Sequence, residues 1–138
     1  MKLFFVSIFF VCVTSCHSSK HIVVEKPPEN KVASINGEWE LQMLFASDNK
    51  WNEAPVIKLD FSAKTFIANT PCNTVTGNFT VSENYFSFNK PAITKKGCGG
   101  YNDNKFVAAL SKINHYTFLK DLLEFGQGEI LLMKLKRK

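Results

Sequence analysis

The sequence predicts an α+β fold that is mostly antiparallel β, a curved sheet or small β-barrel with one helix packed against it. Two observations carry this prediction. Short segments of alternating apolar and polar residues are separated by turn-forming residues, and a single later stretch repeats its apolar residues with a helical period. The chain has 138 residues, of which 45% are hydrophobic and 21% charged, so it suits one small globular domain and excludes a disordered or fibrous protein.

The first predicted strand follows Ile35, with Trp39, Leu41, Met43 and Phe45 alternating on one buried face. The same alternation continues through seven further pairs or triplets of apolar residues: Ile57, Leu59 and Phe61; Phe66 and Ala68; Phe79 and Val81; Phe86 and Phe88; Tyr116 and Phe118; Leu123 and Phe125; Leu131, Met133 and Leu135. Short connections favour antiparallel neighbours, and residues 126–128 predict a hairpin between the last two strands.

The period changes once, where Phe106, Ala109, Leu110 and Ile113 follow the spacing i, i+3, i+4, i+7. This spacing predicts a helix between residues 103 and 113 with one apolar stripe facing the core. Asn102 is a candidate N-cap, and Asp103 suits the positive end of the helix dipole.

The first residues predict export. Lys2 precedes an apolar stretch over residues 3–13, which is well short of the roughly 20 residues that a membrane-spanning helix needs. Residues 13–16, with the sequence VTSC, resemble a bacterial lipobox, in which the cysteine carries the acyl chains. We therefore expect a lipoprotein signal peptide over residues 1–15 and a lipidated Cys16 as the membrane anchor, with a plain signal peptide cleaved near Ser15 as the alternative.

The next residues predict a tether and a cellular location. Pro27 and Pro28 disfavour both helix and central strand, so residues 16–34 are expected to form the lipidated cysteine and a flexible tether before a domain at 35–138. No acidic residue directly follows Cys16, which favours the outer membrane, with the domain facing the periplasm.

Four short motifs together resemble the META domain (HslJ-like) family over residues 35–138. They are residues 35–41 with Gly37 and Trp39, the pair Cys72 and Asn73, then Gly77 with Phe79, and Thr94 followed by Cys98. The resemblance implies a compact β-rich domain with one helix, often exported or lipid-anchored and linked to stress tolerance and envelope integrity. It implies no catalytic activity. The chain departs from many relatives at residues 99–102, where the segment before the helix is shorter and lacks an acidic residue.

Two cysteines remain for the folded domain if Cys12 is cleaved away and Cys16 is acylated. In the oxidising periplasm Cys72 and Cys98 are expected to form a disulfide. Buried free thiols, a redox switch and a metal site with His115 are the alternatives. No metal site is predicted, because the cysteines and histidines lack close ligand spacing and His17 and His21 lie on the tether.

The loop after Thr94 is the candidate interaction surface. Lys95, Lys96 and Tyr101 could meet an acidic partner or lipid phosphates, and a solvated turn is the alternative. Asn73 and Gly77 are expected to serve backbone geometry. The basic run of Lys134, Lys136, Arg137 and Lys138 could contact anionic headgroups or act as a solubilising end.

The sequence contains no nucleophile and base motif, so we expect no enzyme, cofactor or small-molecule substrate. The net charge of +5 is spread along the chain, which weakens any nucleic-acid function. Two hypotheses remain. The first is a non-enzymatic envelope accessory or stress-related binding module at the outer membrane, with a possible envelope protein partner. The second is an inhibitor of a periplasmic or host hydrolase that acts through residues 94–101.

Overall fold

The computed structural model describes residues 35–45, 47, 51–98 and 103–138. Cys16, His17, His21, Tyr101 and Asn102, and with them the predicted signal peptide, tether and N-cap, lie outside these residues. Within the described ranges the chain forms eight strands and one helix: β1 Gly37–Leu44, β2 Val56–Asp60, β3 Thr65–Asn69, β4 Thr74–Val81, β5 Phe86–Ile93, α1 Asp103–Lys112, β6 His115–Leu119, β7 Leu122–Gln127 and β8 Ile130–Arg137.

The eight strands form one antiparallel sheet in the order β5-β4-β3-β2-β1-β8-β7-β6. The sheet curls into a half-barrel, and α1 packs against it. The edges approach each other where the Tyr116 N–H donates to the Asn84 carbonyl oxygen at 3.2 Å. The predicted fold class and the predicted hairpin between the last two strands are both confirmed.

Aromatic side chains fill the interior of the half-barrel. Phe86 is fully buried and packs against Phe79 and Phe125, with ring centroids 5.0 and 4.7 Å apart. From the helix side, Phe106 and Leu110 are completely buried, which confirms the apolar stripe that the spacing predicted. These contacts hold α1 on the sheet, because aromatic groups bury a large apolar area per residue.

The face predicted for the first strand is wrong beyond Leu41. Trp39 and Leu41 are buried as expected, but the pairing of β1 with β8 shifts between Leu41 and Met43. This bulge lets one extra residue into β1, so that Leu44 points inward at 7% exposure, whereas Met43 and Phe45 are 39% and 57% exposed. A one-residue shift exchanges the two faces of a strand.

Two smaller differences concern strand ends. Phe61 was predicted within a strand, but β2 ends at Asp60, whose Oδ1 accepts hydrogen bonds from the Ser62 and Ala63 N–H groups and so forms the turn. Strand β5 continues past Phe88 to Ile93, through an irregularity at which Lys90 has a φ of 48°.

The half-barrel has two ends that matter for the site. At the Gly37 end, β1 begins, β8 ends and the β6–β7 turn lies beside them, since Trp39 pairs with Arg137 and Leu122 pairs with Lys136. The Cys98 end holds the β3–β4 turn, the end of β5 and the start of α1.

None of the helices in the described part of the chain is long and apolar enough to span a membrane.

Candidate functional site

Asn73 lies at the centre of a polar cluster at the Cys98 end. It sits in the turn between β3 and β4 with only 9% exposure. Its side-chain Nδ2 donates to Asp103 Oδ2 at 2.8 Å, and its Oδ1 accepts from Thr94 Oγ1 and from the Lys96 N–H, both at 2.9 Å. One amide therefore joins the β3–β4 turn, the segment after β5 and the first residue of α1.

Neighbouring threonines hold Asn73 in this position. The Asn73 N–H donates to Thr70 Oγ1 at 2.8 Å, and the Thr70 N–H donates back to the Asn73 carbonyl at 2.9 Å. On the other side, Thr94 Oγ1 accepts a hydrogen bond from the Thr74 N–H at 3.1 Å. The backbone groups of the turn thus form hydrogen bonds although they take no part in the pairing between strands. Buried polar groups require such partners.

A disulfide joins the same elements covalently. Cys72 and Cys98 are bonded, with their Cα atoms 5.9 Å apart, and this confirms the pairing that the sequence predicted. Cys72 is buried at 8% exposure, whereas Cys98 is exposed. Asn73 Nδ2 also lies 3.2 Å from Cys72 Sγ. The Lys96 carbonyl oxygen lies 3.5 Å from the same sulfur, a contact only, because a disulfide sulfur carries no hydrogen.

Asp103 is a buried acid at the first position of α1, with 7% exposure. Its Oδ2 accepts the Asn73 hydrogen bond, while within the described residues its buried Oδ1 has no hydrogen-bond partner. The carboxylate was predicted to suit the helix dipole, and it does lie in the first turn. Its contact with Asn73 adds a role that the sequence did not reveal, since it attaches the helix to the β3–β4 turn.

A depression of about 450 Å³ lies over this cluster. Its described lining consists of Cys72, Asn73, Ile93, Thr94, Lys95, Lys96, Gly97, Cys98, Asp103 and Asn104. The side chains of Lys95 and Lys96 are exposed at its rim. The described lining supplies cationic groups from Lys95 and Lys96 and a side-chain amide from Asn73. Over the described part of the chain, no three His, Cys, Asp or Glu side chains are placed to hold a metal ion.

The other motif residues lie away from this cluster. Gly37 begins β1 with a φ of 116°, a conformation that favours glycine. At Gly77 a Cβ atom would lie 2.7 Å from Phe66 Cε1 and 2.9 Å from the Asn89 carbonyl oxygen, so the β4–β5 irregularity leaves room only for glycine. Both glycines therefore serve backbone geometry, as the sequence predicted for Gly77.

Trp39 organises the Gly37 end. It is completely buried, and its Nε1 donates to the Ile35 carbonyl at 2.9 Å. The Arg137 guanidinium lies 4.3 Å from the Trp39 ring centroid and donates to the Asn36 carbonyl at 3.0 Å. From the sequence Arg137 is predictable only as part of a basic run, because nothing local to position 137 indicates a partner about a hundred residues away.

The family model of the META domain matches residues 31–137. The chain also resembles the crystal structure of a DUF4847 family protein from Bacteroides vulgatus, with a TM-score of 0.59 and 15% identity over 78% of this chain and 97% of that one. At this identity the likeness concerns the fold alone. No curated protein is similar enough to match. Because the family model spans most of its length, the chain belongs to the META domain family.

Proposed function

We propose that the chain is a non-enzymatic accessory module of the bacterial envelope, anchored by lipid on Cys16 at the outer membrane, which binds a periplasmic partner through its Cys98 end. Membership of the META family supports the coarser part of this proposal, since that family is generally non-catalytic. The lipobox over residues 13–16 supports the anchor. The partner is expected to be an acidic protein surface.

The observation that carries the proposed binding role is the way residues 94–98 are fixed. Asn73 Oδ1 holds both the Thr94 hydroxyl and the Lys96 N–H, and the disulfide holds Cys98. The Lys95 and Lys96 side chains nevertheless remain exposed. A segment that is already ordered loses little conformational entropy on binding, and exposed cations attract an acidic surface.

The topology is compatible with such a partner. Strand β1 starts at the Gly37 end, so an anchor on Cys16 would reach the domain from the side opposite to residues 94–98. The 19 residues from 16 to 34 span at most about 65 Å when fully extended. The lysines would then face away from the membrane.

Metabolic labelling with palmitate tests the anchor. We expect label on the wild-type chain and on a Cys12→Ala variant, and none on Cys16→Ala, because only Cys16 occupies the lipobox position. The Cys12 variant controls for the loss of a cysteine near the N-terminus. Absence of label from the wild-type chain would refute the lipid anchor.

Cross-linking in intact cells tests the binding surface. Lys95→Glu with Lys96→Glu should remove the cross-linked partner, whereas the same charge change at the exposed residues Lys90 and Lys112 should leave it in place. Equal partner yield from both double variants would contradict the proposed surface. A hydrolase recovered in equal molar amount would favour the alternative, an inhibitor acting through residues 94–101.

A further inference from the structure

The β6–β7 turn at the Gly37 end carries an apolar side chain into solvent. Leu119 is 71% exposed, more than any other large hydrophobic residue among those described. It is followed by Lys120, which has a φ of 57° and is itself exposed. A single exposed leucine is ordinary on a protein surface, so its surroundings decide its significance.

Cations surround this leucine. Leu119 pairs with Leu122, which pairs with Lys136 on the neighbouring strand. Lys138 directly follows the end of that strand, and its N–H donates to the Glu38 carbonyl oxygen at 3.0 Å. Lys120, Lys136 and Lys138 are all exposed, and none of them forms an ion pair with any residue that the structure describes. We call Leu119, Lys120, Lys136 and Lys138 the basic turn surface.

The nearby acids only partly offset these charges. Glu38 Oε1 lies 3.8 Å from Lys58 Nζ and forms an ion pair with it. Glu40 is half-buried and pairs with Lys136 across β1 and β8. Asp121 is exposed beside Lys120. The three lysines of the surface thus outnumber the two nearby acids, Glu40 and Asp121, so the local net charge stays positive.

We propose that the basic turn surface rests on a bilayer that contains anionic phospholipid, with Leu119 inserted among the headgroups. This inference rests on the proposed lipid anchor and adds the orientation of the domain on the membrane. The position of the proposed anchor favours a bilayer as the partner of this surface. The described chain begins at Ile35, which lies beside the basic turn surface and 19 residues after Cys16.

A weak surface is sufficient once the chain is anchored. If residues 16–34 form the expected tether and behave as a flexible coil, these 19 residues would have a root-mean-square span of about 24 Å, which would keep the bilayer within reach of the Gly37 end. Contact is then effectively intramolecular and needs little affinity of its own. Each lysine near an anionic surface strengthens binding about fivefold, so three lysines correspond to a docking constant up to about 150-fold larger.

Depth-dependent quenching tests the proposal. The full chain, with Cys16 lipidation checked by mass spectrometry, carries a fluorophore on Leu119→Cys and is reconstituted into phosphatidylcholine vesicles with or without phosphatidylglycerol. A matched sample carries the fluorophore on Ile130→Cys, which replaces another exposed hydrophobic residue, at the opposite end of the half-barrel. We expect lipid-borne nitroxide to quench the probe at position 119 and not at position 130, and only when phosphatidylglycerol is present.

Charge removal provides the second measurement. Combining Lys120→Gln, Lys136→Gln and Lys138→Gln should reduce the quenching at position 119 at least tenfold. The same three-charge loss at Lys95, Lys96 and Lys112 should leave it unchanged. Equal quenching at positions 119 and 130, or no effect of the first triple variant, would overturn the proposal.

The two proposals fail in different ways. A lipidated chain whose probe at position 119 stays unquenched overturns the docking surface and leaves the anchor intact. If mass spectrometry finds Cys16 unmodified, the anchor proposal fails, and the probe is then measured on the unlipidated chain with excess vesicles. Quenching that is lost with the first triple variant still supports the surface, and absence of quenching overturns it as well.

Discussion

Replacing Asn73 with aspartate tests one donor group of the polar cluster, the side-chain Nδ2 of Asn73. The substitution keeps the shape of the side chain and keeps an oxygen for the Thr94 hydroxyl and the Lys96 N–H. It removes only the Nδ2 donor, which lies 3.2 Å from Cys72 Sγ and 2.8 Å from Asp103 Oδ2. In the variant, two carboxylate oxygens face each other at that distance inside a buried cluster.

The size of the effect follows from two competing ways to accommodate the pair. Two full charges 2.8 Å apart repel by about 6 kcal/mol at an effective dielectric constant near 20. Keeping one carboxyl protonated at pH 7, when its pKa in the unfolded chain is about 3.9, costs about 4 kcal/mol. The cheaper route prevails, so Asn73→Asp should reduce the free energy of unfolding by about 4 kcal/mol at pH 7.

This penalty depends on pH with a definite sign. The folded variant holds the shared proton, whereas the unfolded chain releases it above about pH 4. The folded state binds more protons, and the variant therefore gains stability relative to wild type as the pH falls. The deficit should shrink by about 1.4 kcal/mol per pH unit and reach about 1 kcal/mol near pH 4.5.

Urea unfolding, followed by the fluorescence of the buried Trp39, measures this difference at both pH values. Asn69→Asp is the matched control, because Asn69 is exposed and its Oδ1 only accepts from Thr74 Oγ1, a contact that aspartate preserves. The control should lie within about 0.5 kcal/mol of wild type at both pH values. Equal stability of Asn73→Asp and wild type at pH 7, or a deficit that does not shrink on acidification, would refute the reasoning.

Three further predictions concern stability. Replacing Cys72 and Cys98 with alanine should lower the free energy of unfolding in urea by about 3.5 kcal/mol, because the bond closes a sequence separation of 26 residues; no loss would contradict it. Gly77→Ala should lower the free energy of unfolding by about 2 kcal/mol, seen as a lower Tm, whereas Gly97→Ala, with nothing within 4 Å of the added Cβ, should not. Tyr116→Phe should be at least as stable as wild type in urea, because the hydroxyl is buried with no partner among the residues described. Burial also raises the pKa of Tyr116, so wild type should lose stability as the pH rises above about 10, and the variant should lose less.

Periodicity predicted most of the fold because most strands have one buried and one solvated face. Segments such as the one with Phe66 and Ala68 alternate cleanly, and only one register buries their apolar residues. The end of β1 is different, since Met43, Leu44 and Phe45 are all apolar and the pattern permits either face. The pairing with β8 selects Leu44 for the interior, and this long-range choice leaves no mark in the local sequence.

The candidate site was predictable in parts. The disulfide followed from the expected compartment and from the small number of cysteines. The contact between Asn73 and Asp103 did not, because the two residues are 30 positions apart and each has a sufficient local explanation. An asparagine beside a strand suits a turn, and an aspartate at the start of a helix suits its dipole.

The C-terminal basic run shows why a charge cluster in a strand must be divided before it is tested. Lys134 Nζ lies 3.1 Å from Glu124, and Arg137 stacks on the buried Trp39, so both contribute to the fold itself. Lys136 and Lys138 extend into solvent. A variant that neutralised the whole run would remove the cation–π contact at Trp39, and any loss of membrane contact could then come from a loosened Gly37 end. Only the two exposed lysines of the run, changed together with Lys120, separate a surface role from a structural one.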